Sequence, residues 1–256
     1  MPDLTQLRQR LSALVFPPHC TVCGVLLSRN DPNYSSRIHF CELCQNQVIA
    51  PLHDACRRCG AIHLGSRIGE STKLLECRFC RRQDFPVEAC SALGNYGDLL
   101  QRLVIQLKGH RNESLALQLG QLLGQRLKEL PWSRNLEAIV PVPAHWSKQL
   151  QKGFHGAAVI GEGIRRELRL DWLPRAVRST RRTAKQGMLE NSERYRNVAG
   201  AFEVTYPDRV AGRNLLIVDD VLTSGATMTA VCETLQEAEA GKMYAAVLAR
   251  GIRAAS

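Results

Sequence analysis

Eight cysteines between positions 20 and 80 fall into four pairs, each with two residues between its members. Cys20-x-x-Cys23 is followed after seventeen residues by Cys41-x-x-Cys44, and Cys56-x-x-Cys59 after seventeen residues by Cys77-x-x-Cys80. One module, C-x2-C-x17-C-x2-C, is therefore written twice. Two residues between thiolates let one tight turn present both sulfurs to one ion, and two such knuckles complete a tetrahedral four-thiolate site. Gly24 and Gly60, each directly after a knuckle, suit the positive φ of that turn. A redox CxxC motif would need one pair beside a βαβ pattern, which four pairs in a repeated frame do not resemble. Four cysteines per ion leave no open coordination position, so two structural zinc ions are expected, supplying folding energy to a segment poor in apolar periodicity. Sequential pairing of the knuckles is expected, and interleaved pairing stays open. His19, His39, His53 and His63 lie nearby; since eight cysteines suffice, surface roles are expected for them.

The second chemical signal is the string Leu215-Leu216-Ile217-Val218-Asp219-Asp220-Val221-Leu222-Thr223-Ser224-Gly225-Ala226-Thr227. Four apolar residues predict a buried parallel strand, and two carboxylates follow where open α/β sheets bind ligands. Thr223, Ser224 and Thr227 offer hydroxyls, while Gly225 and Ala226 let backbone N–H groups come close to a ligand. This loop and the helix start behind it form an anion site suited to a phosphate monoester. Adjacent carboxylates repel phosphate but can accept hydrogen bonds from the 2- and 3-hydroxyls of a ribose. Strand, diacid, phosphate loop and helix together spell a ribose 5-phosphate.

The elements that must position these groups follow from periodicity. Strands are predicted at 89–96, 138–142, 172–177, 201–205, 215–218 and 243–249. Helices are predicted at 98–108, 113–130, 156–168 and 225–240, and residues 178–197 read as a polar, basic loop. Strands alternating with helices predict an α/β fold with a parallel sheet. The boundary is expected near residue 88, with 1–88 carrying the cysteine modules and 89–256 the sheet. Cys90 and Cys232, among apolar or small neighbours, are expected as buried core thiols. The 256 residues carry a formal charge of +10, which favours anionic partners. Leu4, Leu7, Leu11 and Leu14 recur at helical spacing with arginines between them, not as a signal peptide. No apolar run reaches the ~18 residues of a membrane span. A cytoplasmic protein with no membrane partner is expected, where cysteines serve metals more often than disulfides.

The diacid strand and its Thr/Ser-Gly-x-Thr loop resemble the type I phosphoribosyltransferases. More narrowly, the chain resembles the ComF family of competence- and gluconate-associated (GntX-like) proteins. The resemblance rests on the double zinc ribbon, Tyr96-Gly97 with Leu107-Lys108, and Val140-Pro141-Val142-Pro143. It also rests on Gln186-x-x-Leu189-x4-Arg194-x-x-Asn197-Val198-x-Gly200-Ala201-Phe202. It implies a phosphoribosyltransferase fold behind a zinc-ribbon region, binding 5-phosphoribosyl-1-pyrophosphate (PRPP) with Mg2+. It further implies that Asp219 and Asp220 hold the ribose hydroxyls, that Thr223 to Thr227 (Thr223, Ser224, Gly225, Ala226, Thr227) hold the 5-phosphate, and that Val221 and Leu222 belong to the same PRPP-binding segment. The turn at Pro143-Ala144-His145 would take the pyrophosphate. The basic stretch Arg178–Arg196, with Lys185 and Arg194, would close over it as a cationic lid. Where the family usually has Arg-Gly-Phe-Asn-Gln, this chain has Lys152-Gly153-Phe154-His155-Gly156, which keeps the charge but loses the guanidinium fork.

Two functions are compatible with these residues. One is transfer of phosphoribosyl to an unidentified base with release of pyrophosphate, the base being selected by a hood; residues 95–112, with Lys108 and Arg111, read equally as that hood or as a plain helix surface. The other is a non-catalytic sensor of PRPP or nucleotide, whose zinc region meets single-stranded DNA or a DNA-uptake protein. Arg57, Arg58, Arg78, Arg81 and Arg82 make that region basic, but Phe79 and Phe85 are few aromatics for a stacking platform.

Overall fold

The computed structural model describes residues 17–28, 38–63, 77, 80, 85–109, 112–143, 155–181 and 191–252. By contacts the chain separates into two compact units, Met1–Ile49 and Ala50–Ser256. The first unit holds a short helix, α1 (Glu42–Val48), and a knuckle closed by the bridge between His19 and Leu26.

The second unit is a parallel α/β sheet. Its strands are β1 (Ala89–Asn95), β2 (Ala138–Pro141), β3 (Asp171–Trp172), β6 (Leu215–Leu222) and β7 (Met243–Arg250), in the order β1-β7-β6-β2-β3, every pair parallel. Its helices are α2 (Asp98–Gly109), α3 (Glu113–Lys128), α4 (Gly156–Leu168), α5 (Asn191–Val198) and α6 (Ala226–Glu237). A second, antiparallel pair joins β4 (Val177–Ser179) to β5 (Phe202–Val204).

The central strands are continuous apolar runs because both sheet faces are covered. On one face Leu215 and Ile217 of β6 and Ala245 and Val247 of β7 share a core cluster with Met228, Val231 and Leu235 of α6. Cys59, Cys77 and Cys80 of the second cysteine module belong to that same cluster. The alternate residues Leu216 and Val218 turn to the other face, where α4 lies against β2 and β6. α3 and α4 approach at backbone distance: a Cβ on Gly120 would stand 2.3 Å from the Ile160 carbonyl, and one on Gly163 2.4 Å from the Leu117 carbonyl. Cys90 and Cys232 are buried thiols, and burial pushes each up to about 12.

Three elements differ from the sequence expectation. The strand expected over 172–177 is split between the two sheets, because Pro174 has no N–H to give a ladder. Residues 191–198 form a helix where a loop is expected. Its only large apolar side chains are Tyr195 and Val198, too few for a visible period, and it is held by packing of Val198 against Ala226 and Ala230 of α6. β6 runs past Val218 to Leu222, so the two carboxylates lie on the strand itself, still paired through Asp219↔Val247. Among the described residues no helix is long and apolar enough to cross a membrane.

Candidate functional site

The sulfurs form two groups of four, Cys20, Cys23, Cys41, Cys44 and Cys56, Cys59, Cys77, Cys80, each with its Sγ atoms within 4.8 Å of one another. Pairing is therefore sequential. Cys23 and Cys41 lie 3.7 Å apart, Cys59 and Cys77 3.7 Å, and Cys56 and Cys80 3.8 Å. Metal–sulfur bonds of about 2.3 Å in a tetrahedron give edges of about 3.8 Å, so each set could hold a zinc ion. The backbone prepares the sulfurs: Gly24 N–H donates to the Cys20 carbonyl and Gly60 N–H to the Cys56 carbonyl, both at 2.8 Å. Gly24 and Gly60 have φ of +74° and +71°, the conformation expected after each knuckle.

Within each set the thiols divide their acidity. Burial works against the Cys20 thiolate, but hydrogen bonds led by that of the Cys23 backbone outweigh it and bring the thiol down to about 7. Burial pushes Cys44 up. A hydrogen bond from Cys59 pulls Cys56 down to about 6, while Cys59 and Cys80 are pushed up, chiefly by Cys56. A divalent ion bound by each set would displace protons from its thiols. His63 corrects one expectation: it is half-buried, and its Nε2 lies 3.2 Å from Cys77 Sγ. That contact can orient a ligand sulfur.

The second site lies at the C-terminal ends of β2 and β6. Asp219 and Asp220 are half-buried, and the Asp220 N–H donates to Asp219 Oδ1 at 2.8 Å. Pro141 pairs with Val218, and Val142 N–H donates to the Val218 carbonyl at 2.8 Å. Pro143 therefore leaves the sheet beside the two carboxylates. The loop Leu222–Gly225 turns sharply into α6 with Gly225 at φ +83°. A Cβ there would stand 2.3 Å from the ring of Phe85, so both backbone and space demand glycine. Thr223 is exposed at the loop tip, Ser224 is buried with its Oγ 3.4 Å from Ala226 N, and Thr227 is half-buried on the first turn of α6.

Three loop carbonyls are already occupied. Leu222 and Thr223 accept from the buried Arg250, the first at 2.7 Å, and Ser224 accepts from the Tyr195 hydroxyl at 3.0 Å. Arg194 precedes Tyr195 on α5. Ala144 and Lys185 lie outside the described residues, as do His145 and 182–190. Two of the lid arginines do not stand free: Arg178 pairs with Glu203 at 2.9 Å and Arg181 donates to the Ala199 carbonyl at 2.9 Å. At the supposed hood, the Asn95 amide is held by both backbone groups of Ile62, at 2.9 and 2.8 Å, and Asn112 caps α3 by accepting from Leu115 N–H at 3.1 Å.

Sequence reasoning passed over His155, Tyr195 and Arg250. His155 donates through Nε2–H to the Val142 carbonyl at 2.8 Å. Burial holds it below the ordinary imidazole value, against the pull of that carbonyl and the charge of Asp220. Its signal is the departure from the family's Asn at this point. Arg250 shows no motif, but parallel register pairs it with Leu222.

The sheet order and the strand–diacid–loop–helix unit define a phosphoribosyltransferase-type domain, and residues 176–255 match the model of the phosphoribosyl transferase domain. Relatives extend the likeness. "DNA utilization protein YhgH" of Escherichia coli (strain K12) is 31% identical over 164 residues, 63% of this chain and 71% of that protein. The protein of the same name from Salmonella typhimurium is 27% identical over 225 residues, covering 87% of this chain and 92% of the relative. "Competence protein F" of Haemophilus influenzae is 25% identical over 202 residues, covering 77% and 84%. The chain belongs to the ComF family, as these relatives do.

Proposed function

We propose that the domain binds PRPP at the ends of β2 and β6. Asp219 and Asp220 take the ribose 2- and 3-hydroxyls, residues 223–227 take the 5-phosphate, and the turn after Val142, at Pro143 and Ala144, takes the pyrophosphate. The supporting observation is the continuous unit from the paired carboxylates of β6, through a loop turned by Gly225, to the start of α6. Mg2+ bound with PRPP would neutralise pyrophosphate oxygens. The chain's own residues orient the ribose and stabilise charge, with Lys185 and Arg194 excluding water when the lid closes. In the transfer reaction the bond from C1 to the pyrophosphate oxygen breaks. A nitrogen of the acceptor base forms the new bond to C1 and loses its proton to solvent or a nearby base.

Two structural zinc ions hold the cysteine modules. A link to DNA uptake, through single-stranded DNA or an uptake protein, accords with the relatives' names. The non-catalytic reading, a sensor of PRPP or nucleotide, uses the same contacts without the transfer step. Calorimetric titration of PRPP with Mg2+ into the zinc-loaded chain tests the site. Wild type should bind and Asp219→Asn/Asp220→Asn should lose roughly 100-fold or more, as befits two charged hydrogen-bond acceptors. Equal affinities would refute the assignment. Pyrophosphate release on addition of a base then separates transferase from sensor.

A further inference from the structure

Arg250, the last residue of β7, is 3% exposed. Its guanidinium lies under the loop that follows β6. One nitrogen, Nη1, donates to the carbonyls of Leu222 at 2.7 Å, Gly251 at 2.6 Å and Thr223. Below it the Phe85 ring stands 5.9 Å from the guanidinium carbon and also fills the space beside Gly225. No strand pairing requires a cation here, since the apolar run Met243–Ala249 already satisfies the sheet core.

A trans peptide carries its C=O and the next N–H on opposite sides, and the described chain has no cis bond. Drawing the Leu222 and Thr223 carbonyls down onto Arg250 therefore turns the N–H groups of Thr223 and Ser224 the other way. Those are the donors a bound phosphate monoester would need. The same guanidinium places a cation behind the loop, in surroundings that screen it less than water does. Buried next to loop carbonyls and an aromatic face, its charge is directed at the loop.

We propose that Arg250 is a positioning residue of the phosphate site: it aims the Thr223 and Ser224 N–H groups and supplies positive potential to a 5-phosphate it does not touch. This rests on the reading of 223–227 as the 5-phosphate loop.

The test uses the full zinc-loaded chain with PRPP, ribose 5-phosphate and free pyrophosphate, each titrated calorimetrically with Mg2+. Thermal melts check that each variant is folded. Arg250→Met should weaken ribose 5-phosphate and PRPP about 10- to 100-fold, the range for losing charged hydrogen bonds. Pyrophosphate, placed at the turn after β2, should bind the variant and wild type alike. Arg250→Lys keeps three donors on a shorter reach and should fall between the two. Unchanged ribose 5-phosphate affinity in Arg250→Met would overturn the proposal, as would parallel loss of ribose 5-phosphate and pyrophosphate. Should Arg250→Met not fold, Arg250→Lys decides alone: ribose 5-phosphate weakened with pyrophosphate unchanged supports it, and wild-type affinity for both overturns it. Failure of the wild type to bind PRPP or ribose 5-phosphate would remove the 5-phosphate reading and this proposal with it.

Discussion

The two cysteine modules share one backbone plan but have different surroundings. Each residue of the first lies 36 positions before its counterpart, Cys20 before Cys56 and Cys44 before Cys80. Cys20 N–H donates to the Val25 carbonyl as Cys56 N–H does to Ala61, both at 2.8 Å, and the bridge of His19 with Leu26 repeats as Ala55 with Ile62. In the first module Val25 and Leu26 are 50% and 55% exposed, and a Cβ on Gly24 would meet nothing within 4 Å. In the second, Ala61 and Ile62 are buried, and a Cβ on Gly60 would come within 3.2 Å of Ala92 on β1. Cys90 N–H donates to the Arg57 carbonyl at 2.8 Å, and Asn95 clasps Ile62. Duplicated ligand spacing thus fixes the knuckle, while the residues after each knuckle decide whether its tip stays exposed or becomes part of a sheet's core.

The comparison breaks most visibly at the ligands. Cys59→Ser should destabilise the sheet unit by on the order of 3 kcal/mol or more, since its four-sulfur group, which could hold a zinc ion, is continuous with the core. At roughly 2–4 °C per kcal/mol, the melt should fall by about 10 °C. Cys23→Ser should leave that transition in place, and an equal fall in both variants would erase the distinction. Gly225→Ala meets the Phe85 ring at 2.3 Å and a φ of +83°. It should cost about 3 kcal/mol and abolish PRPP binding, read by denaturant unfolding and calorimetry. The knuckle glycines give a finer contrast. Gly24→Ala should cost about 1 kcal/mol for the left-handed backbone alone, and Gly60→Ala about 2 kcal/mol because Ala92 and Cys90 must also yield. Equal costs would mean that Gly60 is not packed as described.

The smallest effect lies on α4, outside both modules. Arg165 holds the Glu162 carboxyl below its ordinary value, with Arg166 assisting. A depressed carboxyl contributes stability above the ordinary carboxylate range and loses it as pH falls through the lowered value. Glu162→Gln should remove about 0.5 kcal/mol at neutral pH and nothing in acid, measured by unfolding at both.

Much of this was readable from residue spacing. The cysteine frame gave the two four-sulfur groups, and Leu215–Val218 gave the central strand that carries the two aspartates. Helix α5 was not legible because Val198 is the one buried apolar side chain among its described residues. The burial of the second module was not legible either, because Ala61 and Ile62 look no more core-like than Val25 and Leu26 until β1 is laid against them. Arg250 needed strand register, which no local pattern carries. His155 showed only as a change of residue type, and its contact with Val142 depends on how α4 starts beside β2.

The most direct test pairs Cys23→Ser with Cys59→Ser, measuring zinc content and PRPP affinity in each. The account predicts that Cys23→Ser loses one zinc and keeps wild-type PRPP affinity. Cys59→Ser should lose the other zinc and PRPP binding together, because Phe85 and the loop at Gly225 share the core with that module. Wild-type PRPP affinity in a zinc-depleted Cys59→Ser, or its loss in Cys23→Ser, would contradict it.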